Sequence, residues 1–226
     1  MKESLGIEKG VHKMNKQTMF WILTMVQTIA LIVSNITVCV FIPVFGGREF
    51  SIFGITFQLA ITGAIFVFPI TCIVDDLQTE LYGRKNNLAM IVSFGIMWIV
   101  AGIFYLVDRC NSDPASSSIP DLWTAGLAST IAFLVSSLIN SEVLIYLKKK
   151  HPKNMIIRFV SSTAVGQFFD TLTFTIVAVM IGVYPDWRLG WSLFPIEYLI
   201  KILYELIASK PIIIPLKNFI EKKCED

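Results

Sequence analysis

Charge is scarce in this sequence. Only 16% of its 226 residues are Asp, Glu, Lys or Arg, against about 25% in soluble domains. That deficit, with 54% apolar residues, excludes an ordinary soluble domain and points to a chain that crosses a membrane several times. Histidine is nearly missing: His12 and His151 both lie in basic, polar segments. The four cysteines, Cys39, Cys72, Cys110 and Cys224, are scattered, with no C-x-x-C pair and no metal-ligand spacing. No metal site and no cofactor is expected. The net charge of +2 is too small to suggest a nucleic-acid surface. The sequence also lacks H-E-x-x-H, G-x-S-x-G, G-x-G-D and the nucleotide-binding G-x-x-x-x-G-K-[ST].

What is present is a series of long apolar runs. A membrane helix needs about 20 mostly apolar residues. Residues 17–47 carry no charge; further runs cover 50–74, 86–107, 122–141, 159–185 and 189–216. The expected architecture is an all-α integral membrane protein of six transmembrane helices over residues 17–216, with polar tails at 1–16 and 217–226. Basic residues alternate between the connections. The N-terminal tail, Arg84 and Lys85, Lys148 to Arg158, and Lys217 to Lys223 form the rich side; Arg48, Arg109 and Arg188 stand alone on the other. The positive-inside rule places both termini in the cytoplasm.

The second run resists a simple span. Phe50 to Gly83 would make roughly 50 Å of helix at 1.5 Å per residue, against a hydrocarbon core of about 30 Å. Pro69 within it cannot donate a backbone hydrogen bond. The second helix is therefore expected to kink or break near Pro69. Broken helices are tolerated where protein or a water-filled cavity supplies the missing partners, as at transporter sites.

Polar groups recur inside these runs. Asn35 sits in the first, Gln58, Asp75, Asp76 and Glu80 in or just after the second, and Thr163, Gln167 and Asp170 on one face of the fifth. Asp170 lies twelve residues inward from Arg158, and Lys201 thirteen inward from Arg188. Both reach mid-membrane depth on adjacent antiparallel helices, so they are expected to face each other and pair. A lone charge at the bilayer centre costs roughly 3 kcal/mol, and pairing removes most of that. Intramembrane ionisable residues mark substrate or ion paths, which singles out Asp76, Gln167, Asp170 and Lys201. Thr171, Thr173, Ser136 and Ser137 read instead as helix-packing groups. Glu142 reads equally as an interfacial residue. Glu197 and Glu205 read equally as functional groups and as partners of Lys201 along their own helix. Carboxylates and amides near Phe66, Phe68, Phe168 and Phe169 suit a flat, polar heterocycle, although composition does not choose it over an amino acid or a vitamin.

Three segments, "FPITCIVDDLQTELYGRK", "RFVSSTAVGQFFDTLTFTIVAVMIG" and "EYLIKILYELIASKPIIIPL", together with Ser34–Asn35 and "NSEVLIYLKKK", resemble the queuosine precursor transporter family, also called the vitamin uptake transporter family. The D-x-x-T-E-x-Y-G element, Asp76 to Gly83, and the S-T-x-x-G-Q-x-x-D-T element, Ser162 to Thr171, are specific in combination, and the likeness covers roughly residues 20–216. It implies a six-helix multi-pass transporter of the bacterial cell membrane that imports 7-deazaguanine compounds: the cyano and aminomethyl precursors of queuosine, or the base queuine. It also implies that Asn35, Asp76, Glu80, Gln167, Asp170 and Lys201 lie in or beside the cavity, with a phenylalanine such as Phe68 stacked on the ring. Asp75 departs from the asparagine expected there, which leaves open which of the two adjacent aspartates faces the substrate.

On this reading the protein is a secondary transporter working by alternating access, either proton-coupled through the Asp–Lys pair or passive and drawn by trapping of the base. The competing reading is the substrate-capture subunit of an energy-coupling-factor vitamin transporter, which works with partner ATPases. An intramembrane enzyme with Asp76 and Asp170 as an acid–base dyad lacks any flanking signature. The expected partners are the small-molecule base, the bilayer, and a second copy of the chain, for which Gly126, Ser129 and Ser136–Ser137 offer a small-residue packing face.

Overall fold

A computed structural model describes residues 14–38, 40–43, 49–52, 55–58, 60–110 and 122–225. The N-terminal tail up to residue 13 and most of the loop at 108–121 lie outside the described residues.

The first helix, α1, spans Lys16–Thr37. The Asn15 side chain starts it by accepting from the Gln17 backbone N–H at 2.8 Å, which satisfies one of the orphan donors of a first turn. Asn15 also belongs to a short strand, β1 (Met14–Asn15), paired in parallel with β6 (Cys224–Glu225) at the other end of the chain. After α1 come β2 (Phe41–Pro43), β3 (Glu49–Ile52), β4 (Ile55–Gln58) and β5 (Ala60–Thr62). They form two antiparallel pairs, with β3 against β4 from Glu49↔Gln58 to Ile52↔Ile55, and β2 against β5 from Phe41↔Thr62 to Pro43↔Ala60.

The second apolar run is thus not the long helix expected of it. Its first part, rich in Ile, Thr and Phe, follows strand propensity, and the strand pairing satisfies the backbone groups that a bilayer would leave bare. A 3₁₀ turn follows at Gly63–Phe66. There the Gly63 N–H donates to the Val40 carbonyl at 2.7 Å, and a Cβ on Gly63 would lie 2.9 Å from the Thr37 carbonyl oxygen, so the close approach requires glycine. Helix α2 begins only at Phe68 and ends at Tyr82, with Pro69 in its first turn. The proline neither kinks nor breaks a helix. It starts one, where its missing N–H costs nothing and its fixed φ helps.

Gly83, at φ 61°, turns the chain from α2 into α3 (Asn86–Cys110). Helices α4 (Leu122–Lys150) and α5 (Met155–Met180) follow, the latter capped by the Asn154 side chain accepting from the Ile157 N–H. Then come α6 (Trp187–Ala208), a π-helical turn at Ser209–Ile213, and α7 (Ile214–Lys223).

Among the described residues, four helical stretches are long and apolar enough to cross a bilayer: Lys16–Thr37, Phe68–Cys110, Thr124–Lys150 and Met155–Met180. The second of these runs for 43 residues and folds back at Gly83 as α2 and α3. Helix α6 has 22 residues, enough for about 33 Å, but Glu197, Lys201 and Glu205 interrupt its apolar character.

Burial is inverted relative to a soluble protein. Met25, Ile29, Ile99 and Leu106 are all at least 60% exposed, whereas Gln27, Asp76, Gln78 and Asn86 are fully buried. An apolar exterior around a polar interior is what a lipid solvent selects, and the chain is a multi-pass, predominantly helical membrane protein. Apolar packing surrounds the polar interior. Leu31, Phe68, Met90, Phe94, Met97 and Phe133 join α1 to α4, while Ala128, Ala132, Phe174, Ala178 and Leu193 join α4 to α6. The small residues of α4 are used inside this packing: Ser136 and Ser137 are buried, and Gly126 faces the Met97 methyl.

Candidate functional site

Five helices and β5 leave a cavity between them, with about 480 Å³ of empty space including its open mouth. Its wall is formed by Ser34, Asn35 and Val38 from the end of α1, Thr62 from β5, and Ala64, Ile65 and Phe68 around the start of α2. Ser129 of α4, Asp170 and Phe174 of α5, and Glu197 and Lys201 of α6 complete it. The chain reaches this place as strand and 3₁₀ turn rather than as continuous helix, and that irregular backbone makes room for the cavity.

The charge pair anticipated from depth counting forms here. Lys201 Nζ donates to Asp170 Oδ2 at 2.8 Å and lies 3.4 Å from Thr171 Oγ1. The ammonium also sits 4.6 Å from the centre of the Phe68 ring, within cation–π range. Asn35 donates from Nδ2 to the Leu31 carbonyl at 2.9 Å and to Met97 Sδ at 3.4 Å. Its Oδ1 is buried with no partner among the described residues. Glu197, which the sequence left as a possible helix partner of Lys201, lines the cavity, and its Oε1 likewise has no partner among the described residues. Its position one turn from Lys201 was the available signal, but it fits self-pairing and cavity lining equally.

A smaller pocket adjoins the first through the shared Phe68 and Lys201, and is also lined by Pro69, Cys72, Thr163, Gln167 and Tyr204. Gln167 donates from Nε2 to Cys72 Sγ at 2.9 Å, and its Oε1 is buried without a partner among the described residues.

Further along α2 lies a layer of bonded polar groups. Asp76 accepts from Asn140 Nδ2 at 2.5 Å and from Thr163 Oγ1 at 2.7 Å. Asp75 accepts from Asn86 Nδ2 at 2.6 Å and Ser137 Oγ at 2.9 Å. Asn140 also reaches Asp75 Oδ2 at 3.4 Å, so it bridges the two aspartates. Asp76 is directed toward α5 and Asp75 toward α3.

At the C-terminal end of α2, Glu80 gathers three cations. Its Oε1 lies 2.9 Å from Arg158 Nη2, 3.0 Å from Lys217 Nζ and 3.5 Å from Lys148 Nζ. Lys148 Nζ also donates to the Glu80 carbonyl at 2.6 Å. The cluster ties α2 to α4, α5 and α7. Nearby, Glu142 is exposed and forms a two-pronged pair with Arg84, so it belongs to the surface.

The structure thus brings Asn35, Phe68, Asp170 and Lys201 to one cavity and sets Gln167 in the adjoining pocket. It places Asp76 in the bonded layer and Glu80 in the ion cluster, outside the lining of both pockets. The side chain of Glu205 lies outside what is described, as does that of Gln58. Glu197 and Thr62 are cavity residues that the sequence did not single out.

A family model described as "Putative vitamin uptake transporter" matches residues 62–215, more than half of the chain. The chain is also similar to a protein of Bacillus subtilis (strain 168) named "Probable queuosine precursor transporter", at 28% identity over 185 residues, covering 76% of each chain. No solved structure matches. The matched span runs from the end of β5 to the start of α7 and so takes in Phe68, both aspartates of α2, and every cavity residue of α4, α5 and α6. With these matches, the protein is a transporter and belongs to the vitamin uptake transporter family, the one its two signature elements resemble.

Proposed function

We propose that the protein is a secondary transporter that imports a 7-deazaguanine, either a queuosine precursor or queuine, by alternating access. In this reading six helices cross the bacterial cell membrane and both termini lie in the cytoplasm. The observation that carries it is the cavity itself: an aromatic face, a carboxylate held by an ammonium, and buried amide and carboxyl oxygens with no donor among the described residues. A guanine-like edge supplies donors in a plane, and a polar site left unpaired rejects ligands that lack them.

Asp170 accepts from the ring N1–H and exocyclic amine, and Lys201 pairs with that carboxylate while the site is empty. Asn35 and Gln167 read the remaining polar edge, and Phe68 stacks on the ring. Asp76 acts from behind, fixing Thr163 at the wall of the smaller pocket. With the termini inside, the cavity lies in the outer half of the bundle. The aspartate layer and the Glu80 cluster then close its cytoplasmic side, as expected of a state open outward. Import requires that closure to give way, and the Glu80 carboxylate holds α4, α5 and α7 to α2.

Thermal-shift binding of the purified protein to queuine, its cyano and aminomethyl precursors, guanine and biotin tests the reading. The melting temperature is expected to rise with a 7-deazaguanine and not with biotin. A response to biotin alone, with ATPase subunits co-purifying in stoichiometric amount, would instead identify a substrate-capture subunit.

A further inference from the structure

Glu197 takes no part in the pairing of Asp170 with Lys201. It stands one turn before Lys201 on the same face of α6, and it is 6% exposed while lining the cavity. Thr62 lines the same wall, and Glu197 Oε1 has no partner among the described residues. The Lys201 ammonium is engaged elsewhere: Asp170 at 2.8 Å, Thr171 at 3.4 Å and the Phe68 ring at 4.6 Å. Among the described lining residues there are two carboxyls, Asp170 and Glu197, and one ammonium. One cation cannot balance both. A carboxylate at this depth calls for a positive charge; the Lys201 ammonium acts on Glu197 through space but bonds to Asp170 instead, which leaves a direct partner for Glu197 to come with the ligand. Asn35 Oδ1 is a second unpartnered acceptor on the same wall, so the waiting ligand is rich in donors as well as cationic.

We infer that Glu197 is a specificity-determining residue whose carboxylate pairs with a protonated primary amine on the transported base. The site accordingly favours a 7-aminomethyl-7-deazaguanine over its neutral 7-cyano counterpart. This deepens the proposed function and rests on its deazaguanine reading. Phe68 and the Asp170–Lys201 pair hold the planar ring common to both ligands, and Glu197 distinguishes them by charge.

The test is calorimetric binding of the purified full chain at neutral pH to three ligands: the aminomethyl base, its neutral hydroxymethyl isostere, and the cyano base. Wild type is expected to bind the aminomethyl base about tenfold or more tightly than either neutral ligand, the usual worth of a charge-assisted hydrogen bond. Glu197→Gln is expected to bring the three affinities within a factor of about two to three of one another. The isostere comparison needs no variant, so the inference stays testable if Glu197→Gln does not fold. Equal affinities in wild type, or a preference that survives in Glu197→Gln, overturns the role of Glu197 and leaves the deazaguanine site standing. Failure of all three ligands to bind wild type overturns both.

Discussion

Asp170 and Lys201 are each costly alone and tolerable together. Removing one partner of a buried ion pair leaves the other uncompensated, which costs about 3–5 kcal/mol. Lys201→Met is therefore expected to lower the melting temperature in detergent sharply. Asp170→Asn combined with Lys201→Met should recover most of that loss and still not transport. A double variant no more stable than Lys201→Met alone would contradict the pairing. This pair was legible in the sequence because depth from two flanking arginines is a count along a helix of fixed rise. Glu197 was not, because an i, i+4 spacing describes a self-paired helix and a cavity wall equally well. Asp76 and Glu80 were recognisable as interior groups. Their distance from the cavity depends on where α2 begins, and that is a property of the preceding strands.

At the scale of elements, the apolar run from residue 50 shows why hydropathy finds spans better than conformations. A short apolar run does not separate helix from buried strand by periodicity, and here Ile, Thr and Phe favoured pairing up to Thr62. Pro69 was rightly a break in the run but stands at a helix start. The interface of α4 and α5 makes the sharpest prediction at this scale. A Cβ on Gly166 would lie 2.8 Å from Asn140 Cβ and 3.4 Å from the Ser136 carbonyl oxygen, neither of which is the flexible end of a side chain. Gly166→Ala is expected to cost about 1–3 kcal/mol through overpacking, read as a lowered melting temperature. It should also weaken uptake, because Asn140 bridges Asp75 and Asp76. An unchanged melting temperature would show that the two helices separate more easily than their packing implies.

Over the whole molecule, polar groups fall into three layers along α2: an open cavity, a bonded aspartate layer, and the Glu80 cluster. The alternation of basic loops already divided the chain into two sides. It gave no hint that Arg158, Lys148 and Lys217 converge on one carboxylate, since Lys217 comes from a segment far along the chain from the connection that carries the other two. Glu80→Gln removes the anion those three cations share and leaves only Glu221, 3.6 Å from Lys217 Nζ, beside them among the described residues, so the end of the bundle they close should loosen. A cysteine placed at Ser141, which is buried beside Thr79, reports this in a background lacking all four native cysteines. Its alkylation is expected to be several-fold faster with Glu80→Gln than with Glu80 present; equal rates would mean that the cluster does not hold the closure.

The central claim is that the charge pair of the cavity handles the transported base. It is tested most directly by uptake of a radiolabelled 7-deazaguanine into cells with no other route for it, comparing wild type with Asp170→Asn at matched amounts in the membrane. Accumulation by wild type with a fall to background for Asp170→Asn is the predicted result, and uptake by Asp170→Asn at the wild-type rate would contradict it.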